Sequence, residues 1–255
     1  MKDSTFAKPH KKMAVLLFGI SKYNYSHWSR TPSSRHYRPG GGDWNVMCNY
    51  EIDYRYSVTN YRERIFKYFN ELEYDIDIYF ATNNIPEEDR SDLLAAYPAK
   101  DYHFEECDPP KNKTTRNKKL RKVCEMCLRS KAEYDLVLIT RFDMFFLKDF
   151  NNVSFDFNTL NIISKLERPC GIDDNFYLLR GGDLQWFIDC IKPEDVNGHA
   201  LQPVFEKHCS INFFCNENVA VPFLSFFRLV RSGSIYRRRG RKYIHMKTLE
   251  RFESK

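Results

Sequence analysis

Asp135-Leu-Val-Leu-Ile-Thr-Arg-Phe-Asp-Met-Phe-Phe146 is the stretch on which the reading of this chain turns. Leu136 to Ile139 are four consecutive aliphatic residues, two of them β-branched, with Asp135 on one side and Arg141 on the other. So short a run, closed by charge at both ends, reads as a strand buried on both faces, as in a mostly parallel sheet. Polarity then returns at Thr140, Arg141 and Asp143, with Phe142 and Phe145 on either side of the carboxylate. A cation and a carboxylate two residues apart leave a strand on the same side. They fall at its carboxyl edge, where open α/β sheets bind ligands. An anionic ligand carrying a metal ion needs both, the carboxylate for the cation and the arginine for phosphates. A plain Arg–Asp pair at a strand end fits the same spacing.

Towards the N-terminus, Met13-Ala-Val-Leu-Leu-Phe-Gly-Ile20 reads as another buried strand, and Gly19 near its end allows close approach to the backbone. Ser21 to Asp53 reads as a long irregular loop around Pro39-Gly-Gly-Gly42. It carries Tyr23, His27, Trp28, Arg30, Arg35 and His36, which suits a lid over a charged, ring-bearing ligand; a disordered insertion is the alternative. From Ser57 the period becomes helical, with Tyr61, Ile65, Phe66, Phe69 and Leu72 on one face. Tyr74 to Thr82 is a strand ending at Thr82-Asn83, and Pro86 with its acidic followers opens a helix to about Ala96. Asp101 to Glu106 is a short strand, and Thr114 to Lys131 a basic amphipathic helix with Leu120, Val123, Cys124, Cys127 and Leu128 inward.

Beyond the opening stretch, Leu160 to Leu166 and Gly171 to Leu179 are strand-like, and Gly181-Gly182 leads into a helix from Asp183 to Ile191. A helix over His199–His208 and strands over Ile211–Cys215, Phe223–Val230 and Tyr243–Met246 complete the series. Alternating strands and helices in the first half predict an α/β protein, a single Rossmann-type domain. Its mostly parallel central sheet is flanked by helices, with a small mixed C-terminal sheet. Residues 1–12 are polar and expected to fray, leaving 13–255 as one domain without repeats or linker.

The 255 residues suffice for one large α/β domain, and 21 Phe with 16 Tyr supply a substantial core. Hydrophobic content of 42% beside 29% charge describes a soluble globular chain. The net charge of +6 is concentrated at Lys111–Lys122 and Arg228–Lys242. Such runs meet nucleic acid, anionic membrane, phosphorylated ligands or plain solvent. The best apolar run, Met13 to Ile20, is too short for a membrane span, and Ser-Lys-Tyr-Asn-Tyr follows it instead of a cleavage site. Eight scattered cysteines and no export signal predict a reduced, cytoplasmic setting. Cys124-Glu-Met-Cys127 has zinc spacing but no second pair, so two buried small side chains is the reading preferred.

Together, the opening strand with its loop, the strand ending at Thr82 and the Thr-Arg-Phe-Asp ending resemble glycosyltransferases of the A-type fold. The ending resembles the R-x-R-F-D strand end of small capsular, lipopolysaccharide and algal-virus members, where it stands in for Asp-x-Asp. The likeness spans about residues 13 to 190, and Arg141 replaces the first acid of Asp-x-Asp. It implies a nucleotide-diphosphate sugar donor, UDP- or GDP-linked, and a glycan or other hydroxyl acceptor. On this resemblance residues 13–146 form the donor half and 147–255 the acceptor half. Gly19, Ser21, Tyr23, Thr82 and Asn83 contact base and ribose, Arg141 meets the diphosphate, and Asp143 holds Mn²⁺ or Mg²⁺, which is weakly bound or dispensable. His245 fits by position as a further metal ligand, though a lone histidine on an apolar strand also simply packs. In Ile172-Asp-Asp-Asn-Phe176, Asp174 (preferred) or Asp173 is the general base of an inverting reaction; an Asp-Asp-Asn turn is the plain alternative. Two other functions share the composition. A sugar nucleotidyltransferase needs a glycine-rich basic loop after the first strand, which Ser21-Lys-Tyr-Asn-Tyr matches poorly. A nucleic-acid-binding module leaves the Arg141–Asp143 strand end without a purpose, so no nucleic acid is expected.

Overall fold

The computed structural model describes residues 11–29, 46–106, 115–164, 172, 175–192, 201–215, 227–229 and 232–237. β1 (Lys11–Gly19) runs through the middle of the central sheet, and Met13 to Phe18 are fully buried. Because both faces are covered, the strand is continuously apolar rather than alternating. Its side chains divide by parity: Met13, Val15 and Leu17 enter one core, Ala14, Leu16 and Phe18 the other. β4 (Tyr74–Asn83) and β6 (Leu136–Arg141) flank it, both parallel, and β5 (Ala99–Glu105) continues parallel beyond β4. On the other side β9 (Phe176–Arg180) pairs antiparallel with β6 and with β8 (Leu160–Ile162), and β10 (Ile211–Phe213) runs parallel to β8. The order β10-β8-β9-β6-β1-β4-β5 therefore has β9 alone reversed among seven strands. This is the mostly parallel, helix-flanked α/β class expected.

The chain winds outward from β1 to β4 and β5, then crosses back to β6 on the opposite side of β1. In open α/β sheets such a reversal marks the edge at which ligands bind, here the carboxyl ends of β1 and β6. α1 (Arg55–Tyr61) passes through a π-helical segment (Arg62–Phe66) into α2 (Lys67–Glu71). Tyr61, Ile65 and Phe69 share the first core with Leu93 of α3 (Glu87–Ala96). The second core joins Leu120, Val123, Cys124 and Cys127 of α4 (Thr115–Arg129) to Leu184 and Phe187 of α5 (Leu184–Cys190). Phe205 of the short α6 (Gln202–Phe205) closes it. At the amino edge Asp135 fixes register: its carboxylate accepts from Lys12 N at 2.8 Å and its N–H donates to Lys12 O. Its carbonyl also accepts from Gly181 N, where the chains lie so close that a Cβ on Gly181 would stand 1.8 Å from Tyr134 O.

Several local expectations are corrected. Ser21–Asp53 is not an irregular loop throughout: β2 (Lys22–Ser29) and β3 (Val46–Asp53) form an antiparallel pair, joined by β12 (Ser232–Arg237) in the order β12-β3-β2. Lys-Tyr-Asn-Tyr-Ser-His-Trp alternates polar and aromatic residues, a period of two that the neighbouring glycines and charges obscure. β12 also falls inside the basic run from Arg228 to Lys242, which is thus partly strand. Among the described residues, the strand expected over 171–179 is formed by Phe176–Arg180, and the helix expected over 199–208 by Gln202–Phe205. The small mixed sheet beyond the central one takes the form of two: β12 on β3, and β11 (Phe227–Leu229) antiparallel to β7 (Met144–Phe146). The strand over Tyr243–Met246 lies outside the described residues. Among the described residues, no helix is long and apolar enough to cross a membrane.

Candidate active site

At the carboxyl ends of β1, β4 and β6 the chain places most of the residues singled out from sequence. Gly19 stands opposite Thr82 of β4, and Phe18 is in register with Arg141 of β6. Gly19 has φ +105°, a left-handed conformation in which a side chain is strained, and no described residue lies within 4 Å of where a Cβ would be. The end of the central strand is therefore a notch in the edge. Ser21, Thr82 and Asn83, all buried, close one network beside it. Ser21 N donates to Thr82 Oγ1 (3.0 Å) and Asn83 Oδ1 (3.2 Å), and Thr82 Oγ1 donates to Ser21 Oγ (2.9 Å). Asn83 Nδ2 donates to Lys22 O (3.0 Å) and Asn84 O (3.1 Å). These groups thus hold the edge in shape by bonding one another. Tyr23 follows in β2; its side chain is outside the described part.

On the other flank of the notch, β6 ends at Arg141 and the chain turns through Phe142 and Asp143. Asp143 is 1% exposed and accepts two hydrogen bonds from Arg141, Nε to Oδ1 at 2.7 Å and Nη2 to Oδ2 at 2.6 Å. Arg141 Nη1 also donates to Asn175 Oδ1 at 3.0 Å, just before β9. The two residues do leave on the same side, but as a buried forked pair rather than as separate ligands. The Arg141 side chain is 19% exposed, against 1% for Asp143. Arg116, near the start of α4, sits over the Phe18 ring at 5.2 Å on the same edge.

A second group of charges, missed in the sequence, ties the roots of the small sheet to α3. Lys22 Nζ and Arg55 Nη2 each stand 2.6 Å from Asp89 Oδ1, and Arg55 also reaches Asp53 (3.1 Å) and Asp92 (2.7 Å). The Lys22 hydrogen bond, seconded by Arg55, holds the Asp89 carboxyl below its ordinary range, and the Tyr54 hydroxyl with Arg55 does the same for Asp92. Asp89 had a visible role as an acid in a helix's first turn; nothing local marks its second role. Glu105, at the end of β5, pairs with the buried Lys119 at 2.7 Å.

Asp173, Asp174 and His245 lie outside the described residues. Among the described residues no group of three or more His, Cys, Asp or Glu side chains could hold a metal ion. The donor set around Asp143 does not by itself fit a divalent cation, since the Arg141 guanidinium engages both oxygens of its carboxylate. Cys124 and Cys127 are buried, and desolvation raises both thiols, that of Cys127 to about 12, as befits core side chains.

No protein-family model matches the sequence, and no curated protein matches it. Among solved structures the chain is similar to the apo form of the glycosyltransferase GlyE of Streptococcus pneumoniae TIGR4, at 13% identity and a TM-score of 0.37 over 79% of this chain. A second crystal structure of GlyE gives 13% identity and a TM-score of 0.35, again over 79% of this chain. The chain spans 45% of the length of those structures.

Proposed function

We propose that the chain is a glycosyltransferase that moves a sugar from a UDP- or GDP-linked donor to a hydroxyl of a glycan or glycoconjugate. The observation that carries this reading is the Arg141–Asp143–Asn175 cluster beside the Gly19 notch, at the edge where the strand order reverses. Breaking the bond between a sugar's anomeric carbon and a diphosphate oxygen leaves negative charge on the departing phosphate. A partly exposed guanidinium, held in place by Asp143 and Asn175, stabilises that charge. The network of Ser21, Thr82 and Asn83 shapes the edge on which base and ribose lie, and Gly19 lets them approach the backbone. The acceptor hydroxyl gives its proton to a carboxylate, for which Asp174 is the first choice and Asp173 the second. The donor side of the site belongs to residues 13–146 and the acceptor side to 147–255.

Mn²⁺ or Mg²⁺ at Asp143 would have to displace Arg141 from a carboxylate oxygen, so in this reading the guanidinium rather than a metal neutralises the departing diphosphate. A thermal-shift panel of UDP, GDP, CMP and their sugar conjugates, with and without Mn²⁺, tests the proposal. At a hundredfold excess over Kd a true donor nucleotide adds about 2.7 kcal/mol to the stability of the folded state. Stabilisation by UDP or GDP supports the assignment, and strengthening by Mn²⁺ supports a metal. Indifference to every nucleotide, with salt-sensitive binding of nucleic acid instead, overturns it.

A further inference from the structure

The turn that carries Asp143 owes its shape to a helix far from it in sequence. Ser57, Asn60 and Tyr61 lie three and four residues apart on one face of α1, and all three are buried polar side chains on a face that should be apolar. Each is spent on the backbone of the segment after β6. The Tyr61 hydroxyl donates to Arg141 O. The Ser57 hydroxyl lies 2.7 Å from Phe142 O and 2.8 Å from Tyr54 O, so its single proton serves two carbonyls. Asn60 donates from Nδ2 to Phe146 O at 2.9 Å and accepts at Oδ1 from Phe146 N at 2.7 Å. Its amide thus takes the place of a neighbouring strand along β7, whose other edge pairs with β11.

Apolar side chains at these three positions would bury as well, but would take these partners from the carbonyls of Arg141, Phe142 and Phe146 and from the Phe146 N–H. What the polar set supplies is a fixed backbone at Arg141, Phe142 and Phe146, where the sheet no longer holds the chain. Tyr61 is suited to the task, because burial, with the Tyr97 ring beside it, raises its hydroxyl well above the ordinary value and keeps it a donor.

We propose that Ser57, Asn60 and Tyr61 are positioning residues of the candidate site, setting the turn after β6 and through it the stance of the Arg141 guanidinium. The inference rests on the donor-binding role assigned to Arg141. Tyr61→Phe and Ser57→Ala test it, beside Ile65→Val, a core change in the adjoining π-helical segment that removes no hydrogen bond. Hydrogen exchange across residues 142–146 should quicken about tenfold in the first two variants, as expected for loss of one buried hydrogen bond. Exchange in β1 should not change, and Ile65→Val should leave both regions as they were. UDP, titrated by calorimetry well below the melting temperature, should bind about tenfold more weakly to Tyr61→Phe than to wild type. Unchanged exchange in 142–146 overturns the proposal. So does unchanged UDP affinity in Tyr61→Phe and Ser57→Ala when Arg141→Ala has lost it, since lowered stability alone then describes these residues. If Arg141→Ala binds UDP like wild type, the donor-binding role itself fails, while the exchange data still judge the clamp.

Discussion

Replacing Asp143 by asparagine is the sharpest physical test of the buried pair. The substitution keeps the shape and one acceptor oxygen, but it removes the charge and sets an NH₂ group against the guanidinium that formerly donated to both oxygens at 2.7 and 2.6 Å. Breaking a buried pair by removing one partner costs about 3–5 kcal/mol when the remaining charge is stranded. Arg141 is not fully stranded, because it is 19% exposed and keeps Asn175. The expected loss is therefore nearer the strength of one charge-assisted hydrogen bond, about 2–3 kcal/mol. For a chain of this size that is a fall in melting temperature of about 5–10 °C. Urea unfolding followed by circular dichroism reads the change, and a cycle with Arg141→Met isolates the pairwise part. The double variant should recover about 1–3 kcal/mol relative to the summed single effects. If Asp143→Asn unfolds within about 0.5 kcal/mol of wild type, or the two changes are simply additive, the carboxylate is not held as described.

Gly181→Ala should destabilise by about 2–3 kcal/mol or more, because its Cβ would stand 1.8 Å from Tyr134 O and the backbone must shift. Gly19→Ala, which meets no described residue within 4 Å, should cost only the left-handed backbone, about 1–2 kcal/mol, and a denaturant midpoint equal to that of Gly181→Ala would contradict the distinction. The lowered carboxyls of Asp89 and Asp92 contribute stability that is complete above the ordinary carboxylate range and is lost as pH falls through their lower folded values. Asp89→Asn should accordingly flatten the acid limb of a stability–pH curve below about pH 4 and leave the neutral-to-basic limb's slope unaltered. Among the described cysteines, iodoacetamide at pH 8 should reach the half-buried Cys190 and Cys209 before the buried Cys124 and Cys127, and mass spectrometry showing the reverse would refute their place in the core.

The central-sheet strands and their helices between Met13 and Arg141 were legible because each element's periodicity is a local property. Four aliphatics in a row mark a strand covered on both faces, and Tyr61, Ile65 and Phe69 mark a helix lying on one face of the sheet. The position of Arg141 and Asp143 at a carboxyl edge follows from the same logic. The strands β2 and β12 escaped notice because each lies beside glycines or within a run of charge, and β12 owes its pairing to β3, distant in the chain. Nor does spacing tell a metal-ligating carboxylate from one clasped by arginine; that depends on which way the guanidinium folds back after the turn.

The amino-acid sequence by itself determined the α/β class, the parity of the two cores and the strand end at which polar chemistry begins, all set by neighbours within a few residues. Only the tertiary structure decided that Asp143 is buried against Arg141, that Asp89 gathers Lys22 and Arg55, and that Ser57, Asn60 and Tyr61 hold the turn. The physical reason is that a buried polar group must find its partner wherever the fold brings one: for Asp89 and for the α1 side chains the partners lie 34 to 86 residues away and leave no local trace, while for Arg141 and Asp143 spacing allows a pair but does not choose it.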